Sequence, residues 1–232
     1  MRFVLVVLIA AVAFAAVRGG SGGDDDFTPS WVATATVPEV PIYPLRGAAE
    51  PDRRLASPQD GPLVFLLKPT DGKPVDINAE WLHVYLPIRP NGSGGWVRSQ
   101  DVTLRRNDYR IAIDLEDHEL TLLHKGNLQF RTPIGVGTSS MPTPGGVYYV
   151  KELVVPAEAD DLYGPFAYGL SGFSDSPGAK DFRGGDGALG IHGTNDPSSI
   201  GKDVSHGCIR VSNDVIRHLA KVLPMGTPVE ID

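Results

Sequence analysis

Cys208 is the only cysteine in this chain of 232 residues, and two of the six histidines lie close to it in sequence. His206 precedes it by two residues and His192 by sixteen. A free thiol is mostly protonated at neutral pH, and an imidazole that takes its proton turns it into a nucleophile. Gly207 has no Cβ and allows a tight turn, in which backbone N–H groups can converge beside the sulfur. These residue types together indicate acyl transfer through a thioester.

Several separated motifs surround these residues. They are His-Gly-Thr-Asn at 192–195, Ser-His-Gly-Cys-Ile-Arg at 205–210, Pro-Ile-Gly-Val-Gly at 133–137, Met-Pro-Thr-Pro-Gly-Gly at 141–146, Tyr-Gly-Pro-Phe at 163–166 and Gly-Leu-Ser-Gly at 169–172. In this order they resemble the catalytic domain of the L,D-transpeptidase (YkuD-type) family. His-Gly-Cys alone would be a weak signal, whereas the ordered set is specific.

The resemblance implies a reaction and its partners. In this family the cysteine attacks the carbonyl of the third residue of a peptidoglycan stem peptide, usually diaminopimelate, and expels the terminal D-alanine. A side-chain amine of a second stem then resolves the thioester and forms a 3→3 cross-link. Donor and acceptor stem peptides would be the partners, with no metal or organic cofactor. Hydrolysis of the same thioester would make the enzyme an L,D-carboxypeptidase, which is the alternative activity.

The resemblance also assigns roles to positions of this sequence. The expected catalytic residues are Cys208 as nucleophile, His192 as general acid/base and Gly193, whose backbone carbonyl would orient the imidazole. The expected oxyanion hole consists of backbone N–H groups of His206, Gly207 and Cys208.

Two further positions, Arg210 and Asn213, are expected to bind substrate or support the site. Some family members have Asn where this chain has Arg210, which we interpret as a subfamily difference. Ser205 and Asn213 are also suited to caps and local hydrogen bonds. The other histidines lie outside every motif and are expected outside the site: His83, His118, His124 and His218.

The sequence argues against three other functions. A zinc hydrolase could use His192, His206 and Cys208 with Asp186, but His-x-Cys is an unusual ligand pair and no His-Glu-x-x-His segment is present. In papain-like peptidases the cysteine precedes the histidine, and here only His218 follows Cys208. A non-catalytic wall-binding protein would have no use for the residues of a thiol site.

The hydrophobic pattern of residues 108–232 predicts a mainly β catalytic domain. Strand periodicity covers 109–115 and 128–134, and 146–155 is β-branched and apolar. Helical spacing at 215–223, with Ser212 or Asn213 as cap, predicts one helix after the nucleophile, and 227–231 would be a last strand. The Gly- and Pro-rich stretch 156–190 is expected to be a long loop over the site.

The predicted organisation has four parts. Residues 1–20 are an export signal or N-terminal anchor, with Arg2 ahead of an apolar run at 3–17. Residues 21–36 are a linker, 37–105 an SH3-like β-barrel, and 108–232 a β-sandwich-like L,D-transpeptidase catalytic domain. The protein is expected in the periplasm, cell wall or extracellular space, with a membrane tether through the N-terminus if the signal is retained.

Composition agrees with this organisation. The chain has 27 Gly and 20 Pro, which indicates turn-rich β architecture rather than a helix bundle. Its formal net charge of −7 argues against nucleic acid as a partner.

Overall fold

A computed structural model of the protein describes residues 27–58, 61–156, 162–176 and 186–232. The predicted export signal at 1–20 lies outside the described residues. Among those that are described, no helix is long and apolar enough to cross a bilayer.

Seven short strands form the first half of the described chain. They are β1 (Ser30–Ala35), β2 (Glu39–Ile42), β3 (Arg53–Ala56), β4 (Val64–Leu66), β5 (Trp81–Tyr85), β6 (Gly94–Arg98) and β7 (Val102–Asn107). β1 lies antiparallel between β4 and β7, β2 pairs with β3, and β5 pairs with β6. Single bridges, Tyr43 to Trp96 and Leu67 to Val84, join these pairs around one buried apolar cluster. We call this unit the N-terminal barrel; its SH3-like assignment stays a prediction.

The linker predicted at 21–36 is wrong over its second half, because Ser30–Ala35 is β1. The segment Ser-Trp-Val-Ala-Thr-Ala does not alternate strictly between apolar and polar residues and contains two Ala, so its strand signal is weak. Val32 and Ala33 are nevertheless fully buried, because β1 has strands on both sides and supplies backbone hydrogen bonds to each.

Ten further strands and one helix make up the second half of the described chain. The strands are β8 (Tyr109–Asp114), β9 (Glu119–His124), β10 (Asn127–Pro133), β11 (Val136–Gly137), β12 (Gly146–Val154), β13 (Ala167–Phe173), β14 (Ala188–His192), β15 (Asp203–Ser205), β16 (Ile209–Arg210) and β17 (Pro228–Ile231). Eight of them form one sheet in the order β10-β9-β8-β17-β12-β13-β14-β16, and β11 pairs with β15. The predicted mainly β fold is confirmed.

The helix α1 (Asn213–Val222) follows the nucleophile, as predicted. Ser212 is its N-cap, and its hydroxyl accepts the Val215 N–H at 3.3 Å. Val215, Ile216 and Leu219 are buried against the large sheet. Because α1 is packed along this face, its first turn is held beside the ends of β14 and β16.

The long loop predicted over 156–190 is partly wrong, because Ala167–Phe173 is β13, inside the large sheet. Its sequence is rich in Gly and Ser, which favours turns in isolation. The glycines serve close packing here: a Cβ on Gly172 would collide with the Tyr148 ring, and one on Gly169 would lie 2.5 Å from Glu152 Oε1. Tertiary packing therefore overrides the local preference.

The two halves share a small apolar core. Tyr149 from β12 is fully buried in a cluster with three residues of the barrel, Val32, Val64 and Leu66. Polar contacts flank it, since Asn107 Nδ2 donates to Thr227 Oγ1 at 3.1 Å. The barrel is thus joined to the large sheet by buried contacts.

Candidate active site

Cys208 and His192 are brought together by two parallel strands. His192 is the last residue of β14, and Cys208 immediately precedes β16. Ile191 is opposite Ile209 in the register, and Val211 N–H donates to the His192 carbonyl at 2.9 Å. This register sets His192 opposite Arg210 and Cys208 opposite Gly190, so the two predicted reacting residues lie on neighbouring strands, two positions apart.

The imidazole of His192 is held by its own turn. Nδ1 lies 2.5 Å from the Gly193 carbonyl oxygen, which can only accept a hydrogen bond, so Nδ1 carries the proton. Nε2 is then the basic nitrogen. The ring is buried, and the Tyr163 ring meets it edge-on at a centroid distance of 4.8 Å.

The surroundings of the Cys208 sulfur have opposing effects on the pKa of its thiol. Burial raises the pKa of its thiol, while a backbone hydrogen bond from Gly190 and the positive charge of Arg210 lower it. The burial effect is the largest, so the thiol pKa lies above its ordinary value. Sγ also lies 4.0 Å from the Ala188 carbonyl oxygen, a weak acceptor contact for S–H.

The side chain of Ser205 forms hydrogen bonds with the backbone of its own turn, residues 205–208. Its hydroxyl donates to the Cys208 carbonyl at 2.5 Å and accepts the Gly207 N–H at 3.1 Å. Gly207 has φ +119°, a conformation that favours glycine, so this position suits no other residue well. Ser205 makes the local hydrogen bonds that its residue type suggested.

Thr143 binds the same turn from outside. Its hydroxyl donates to the Gly207 carbonyl at 2.9 Å and accepts the Gly137 N–H at 2.9 Å. Thr143 is 5% exposed, although it lies in a motif dominated by Pro and Gly. Sequence reasoning missed it; a lone hydroxyl residue inside a rigid Pro/Gly motif was the available signal.

Arg210 lies next to the nucleophile, and its backbone is bonded to another motif. Its N–H and C=O pair with the C=O and N–H of Gly135 at 2.8 and 2.9 Å. Its side-chain Nε is buried and has no hydrogen-bond partner among the residues that the structure describes. A buried donor in this state is suited to an added acceptor.

Asn213 supports the histidine turn. Its Oδ1 accepts the Thr194 N–H at 2.9 Å. A Cβ on either Gly193 or Gly164 would collide with this same oxygen. The first residue of α1 therefore packs directly on the turn that orients His192.

Of the remaining histidines, His206 belongs to the nucleophile motif, and the four outside the motifs have their contacts away from Cys208. His206 lies in the nucleophile turn and is half-buried. The others make their contacts elsewhere: His83 stacks on Trp96, His118 bonds Asp203, His124 stacks on Tyr109, and His218 meets the Phe130 ring. Within the described ranges, no three His, Cys, Asp or Glu side chains are grouped so as to hold a metal ion.

Comparisons with known proteins identify the family of the second half of the chain. The family model for the YkuD L,D-transpeptidase catalytic domain matches residues 108–231. A Bacillus licheniformis protein provisionally named L,D-transpeptidase YkuD is 40% identical over 124 residues, which are 53% of this chain and 65% of that protein. A Bacillus subtilis protein of the same provisional name is 37% identical over 125 residues, which are 53% of this chain and 66% of that protein. The chain thus spans just under two thirds of the length of these relatives.

A solved structure is similar as well. A crystal structure of an L,D-transpeptidase from Enterococcus faecium aligns with a TM-score of 0.42 and 24% identity, over 54% of this chain and 50% of that one.

Proposed function

Because the chain belongs to the YkuD L,D-transpeptidase catalytic-domain family, we propose that it forms 3→3 peptidoglycan cross-links through a thioester on Cys208. The observation that carries the proposal is the parallel pairing of β14 with β16, which brings His192 and Cys208 onto neighbouring strands, two register positions apart. The Gly193 carbonyl on Nδ1 further supports His192 as the base, because it leaves Nε2 as the proton acceptor.

Acylation begins from a neutral thiol, because the pKa of Cys208 is raised. His192 Nε2 takes the thiol proton as Sγ attacks the carbonyl carbon of the third stem residue. The tetrahedral oxyanion collapses, the C–N bond to the terminal D-alanine breaks, and the imidazolium returns the proton to the leaving amine. The product is an acyl thioester on Cys208 and free D-alanine.

Deacylation uses the same residues in reverse. The side-chain amine of a second stem attacks the thioester carbon, His192 accepts its proton, and the sulfur leaves. Sγ is then reprotonated, so the net reaction exchanges one peptide bond for another.

The oxyanion would be bound by backbone N–H groups of the nucleophile turn. Gly207 N–H already donates to Ser205 Oγ at 3.1 Å, so it would have to leave that bond to contribute. The proposed donors stay the N–H groups of His206, Gly207 and Cys208. Arg210 offers a buried Nε to a substrate acceptor, and Asn213 supports the His192 turn.

A digest of cell-wall muropeptides tests the proposal. Isolated wall is incubated with the wild type or with Cys208→Ala, and the products are identified by mass spectrometry. We expect 3→3 dimers from the wild type only. Tripeptides without dimers would make the enzyme an L,D-carboxypeptidase, and neither product above the Cys208→Ala level would refute thioester catalysis in favour of wall binding alone.

A second set of variants tests the roles of the histidines. His192→Ala is expected to lose far more activity than His206→Ala, because only His192 acts as the base. The reverse ranking would reassign the base. Treatment with EDTA separates the zinc hydrolase, since a thiol enzyme keeps its activity after chelation.

The rest of the chain is proposed to deliver this domain to the wall. Residues 1–20 would direct export or tether the chain to the membrane. The N-terminal barrel, as an SH3-like module, would bind wall peptides or glycan, or hold residues 108–232 away from the membrane. Pull-down of the full chain and of Cys208→Ala on isolated wall measures this binding independently of turnover.

A further inference from the structure

The β5–β6 hairpin of the barrel reaches across to the catalytic half. Its tip, residues 86–93, carries Arg89 and Asn91, and both bond the far end of β13. Other contacts of the barrel with this half include those at Tyr149, Thr227 and Met225, and they involve neither β13 nor Ser174. The hairpin tip is therefore a separate contact, and it includes Ser174, which packs on Gly207 of the nucleophile turn.

Asn91 binds the backbone of one residue in both directions. Its Nδ2 donates to the Phe173 carbonyl at 2.8 Å, and its Oδ1 accepts the Phe173 N–H at 2.9 Å. The amide thus occupies the position of a neighbouring strand at the end of β13. The contact needs both the donor and the acceptor of an amide, on a side chain of the length of Asn.

Arg89 ties two backbone segments together. Its Nη2 donates to the carbonyls of Ser174 at 3.2 Å and Asp186 at 2.8 Å, and its guanidinium lies 4.3 Å from the centre of the Phe173 ring. The rigid fork of the guanidinium suits such a multiple contact. The additional ion pair with Asp175 is exposed on the carboxylate side and contributes little.

Ser174 is in direct contact with the nucleophile turn. Its Cβ and Oγ lie 3.1 Å from the place that a Cβ on Gly207 would occupy. Its N–H also donates to the Gly187 carbonyl at 2.8 Å, one residue before Ala188, whose carbonyl faces the Cys208 sulfur. A shift of the segments bonded by Arg89 would therefore be transmitted to both sides of the sulfur.

Asn91 has a second connection to the same turn. Its Nδ2 lies 3.3 Å from the Tyr148 hydroxyl, which donates to the Pro144 carbonyl at 3.1 Å. Pro144 follows Thr143, whose hydroxyl binds the Gly207 carbonyl. Two chains of contacts from the hairpin tip thus meet at Gly207.

We propose that Arg89 and Asn91 are positioning residues for the reaction, and that the barrel completes the catalytic site through them. The expected fall in kcat rests on the proposed function. The expected effect on the position of the Cys208 sulfur does not. Neither residue contacts the reacting atoms; each acts by fixing Ser174 and Tyr148 against the turn.

The test compares Arg89→Met with Arg105→Met in the full chain. Arg105 also spans the two halves, donating to the Met225 carbonyl at 2.7 Å, but it does so near the end of α1 and away from the sulfur. Methionine keeps an apolar stem and removes the donors. Asn91→Ala is the companion variant.

Three quantities are measured: the initial rate of Cys208 alkylation by iodoacetamide, kcat and KM on muropeptides, and the melting temperature. We expect Arg89→Met and Asn91→Ala to slow alkylation and lower kcat about fivefold each, because only part of the bonding lost at the hairpin tip acts on the nucleophile turn, with KM within about twofold. Arg105→Met should melt at a similarly lowered temperature and keep the wild-type alkylation rate and kcat.

Equal alkylation rates in Arg89→Met and Arg105→Met would overturn the proposal and leave Arg89 as a general stabilising contact. A fall in kcat matched by both arginine variants would do the same. If the wild type forms neither cross-links nor tripeptides, the proposed function fails, and the alkylation ratio still decides whether Arg89 positions the sulfur.

Discussion

Cys208 is subject to opposing effects that set its reactivity. Burial favours the neutral thiol, whereas the Arg210 charge and the Gly190 N–H favour the thiolate. Because the pKa is raised overall, alkylation of the wild type should keep accelerating above neutral pH rather than reach a plateau near pH 6 or 7. The pH profile of iodoacetamide alkylation measures this directly.

Replacing Arg210 tests the effect of its positive charge on the pKa of the Cys208 thiol. Arg210→Ala removes a positive charge that lowers the thiol pKa, so the pKa rises further and alkylation at neutral pH slows several-fold. Arg210→Lys keeps the charge and should retain a profile closer to the wild type. A profile that moves toward lower pH in Arg210→Ala would contradict the electrostatic role of Arg210.

Ser205 organises the nucleophile turn through one hydroxyl. Ser205→Ala removes the bonds to the Cys208 carbonyl and the Gly207 N–H, each worth about 1 kcal/mol, so kcat should fall roughly tenfold or more. Ser198→Ala is the matched control, because its hydroxyl bonds only the exposed Asp196 carboxylate among the contacts the structure gives. Steady-state kinetics with both variants would show equal kcat values if the turn did not depend on Ser205.

At the scale of elements, the junction of β14 with α1 leaves no space at Gly193. A Cβ there would collide with Asn213 Oδ1 and lie 3.0 Å from Pro165 Cδ. Gly193→Ala is therefore expected to destabilise the fold by about 1–3 kcal/mol and to displace the His192 turn, with a loss of most activity. Chemical denaturation and kcat are measured together.

Gly61→Ala provides the control for this substitution. An added Cβ at Gly61 meets nothing within 4 Å, and its φ is not in the left-handed region. Stability and activity should both stay at wild-type levels. A Gly193→Ala enzyme that matched Gly61→Ala would show that the turn can relax around the added methyl group.

At the scale of the whole molecule, Tyr149 couples the two halves. It is fully buried among Val32, Val64 and Leu66, and its hydroxyl lies 3.4 Å from the Tyr85 carbonyl. Tyr149→Ala should cost about 3–5 kcal/mol, as expected for deleting a buried aromatic ring. Because the shared core is then lost, differential scanning calorimetry should resolve two unfolding transitions.

Tyr149→Phe separates packing from the hydroxyl. It keeps the ring and removes only a long hydrogen bond, so one transition close to that of the wild type is expected. A single, unshifted transition in Tyr149→Ala would mean that the halves are coupled by their polar contacts instead.

The sequence by itself determined the family and several elements of the second half. Cys208, His192 and Gly207 are identified by residue type and spacing, and the β8 and α1 periodicities follow from burial of one face. The family and these elements can be predicted because motif order and amphipathic periodicity are properties of residues close together in the chain; the roles of Cys208 and His192 stay a proposal.

Only the tertiary structure decided how those residues are held. β1 and β13 lack strong local strand signals and form because neighbouring strands supply their hydrogen bonds and cover their small side chains. Ser174 and the hairpin tip at Arg89 reach the nucleophile turn from positions distant in sequence, where no spacing rule connects them to Cys208. The environment that raises the thiol pKa arises in the same way, because burial depends on every segment packed around the sulfur.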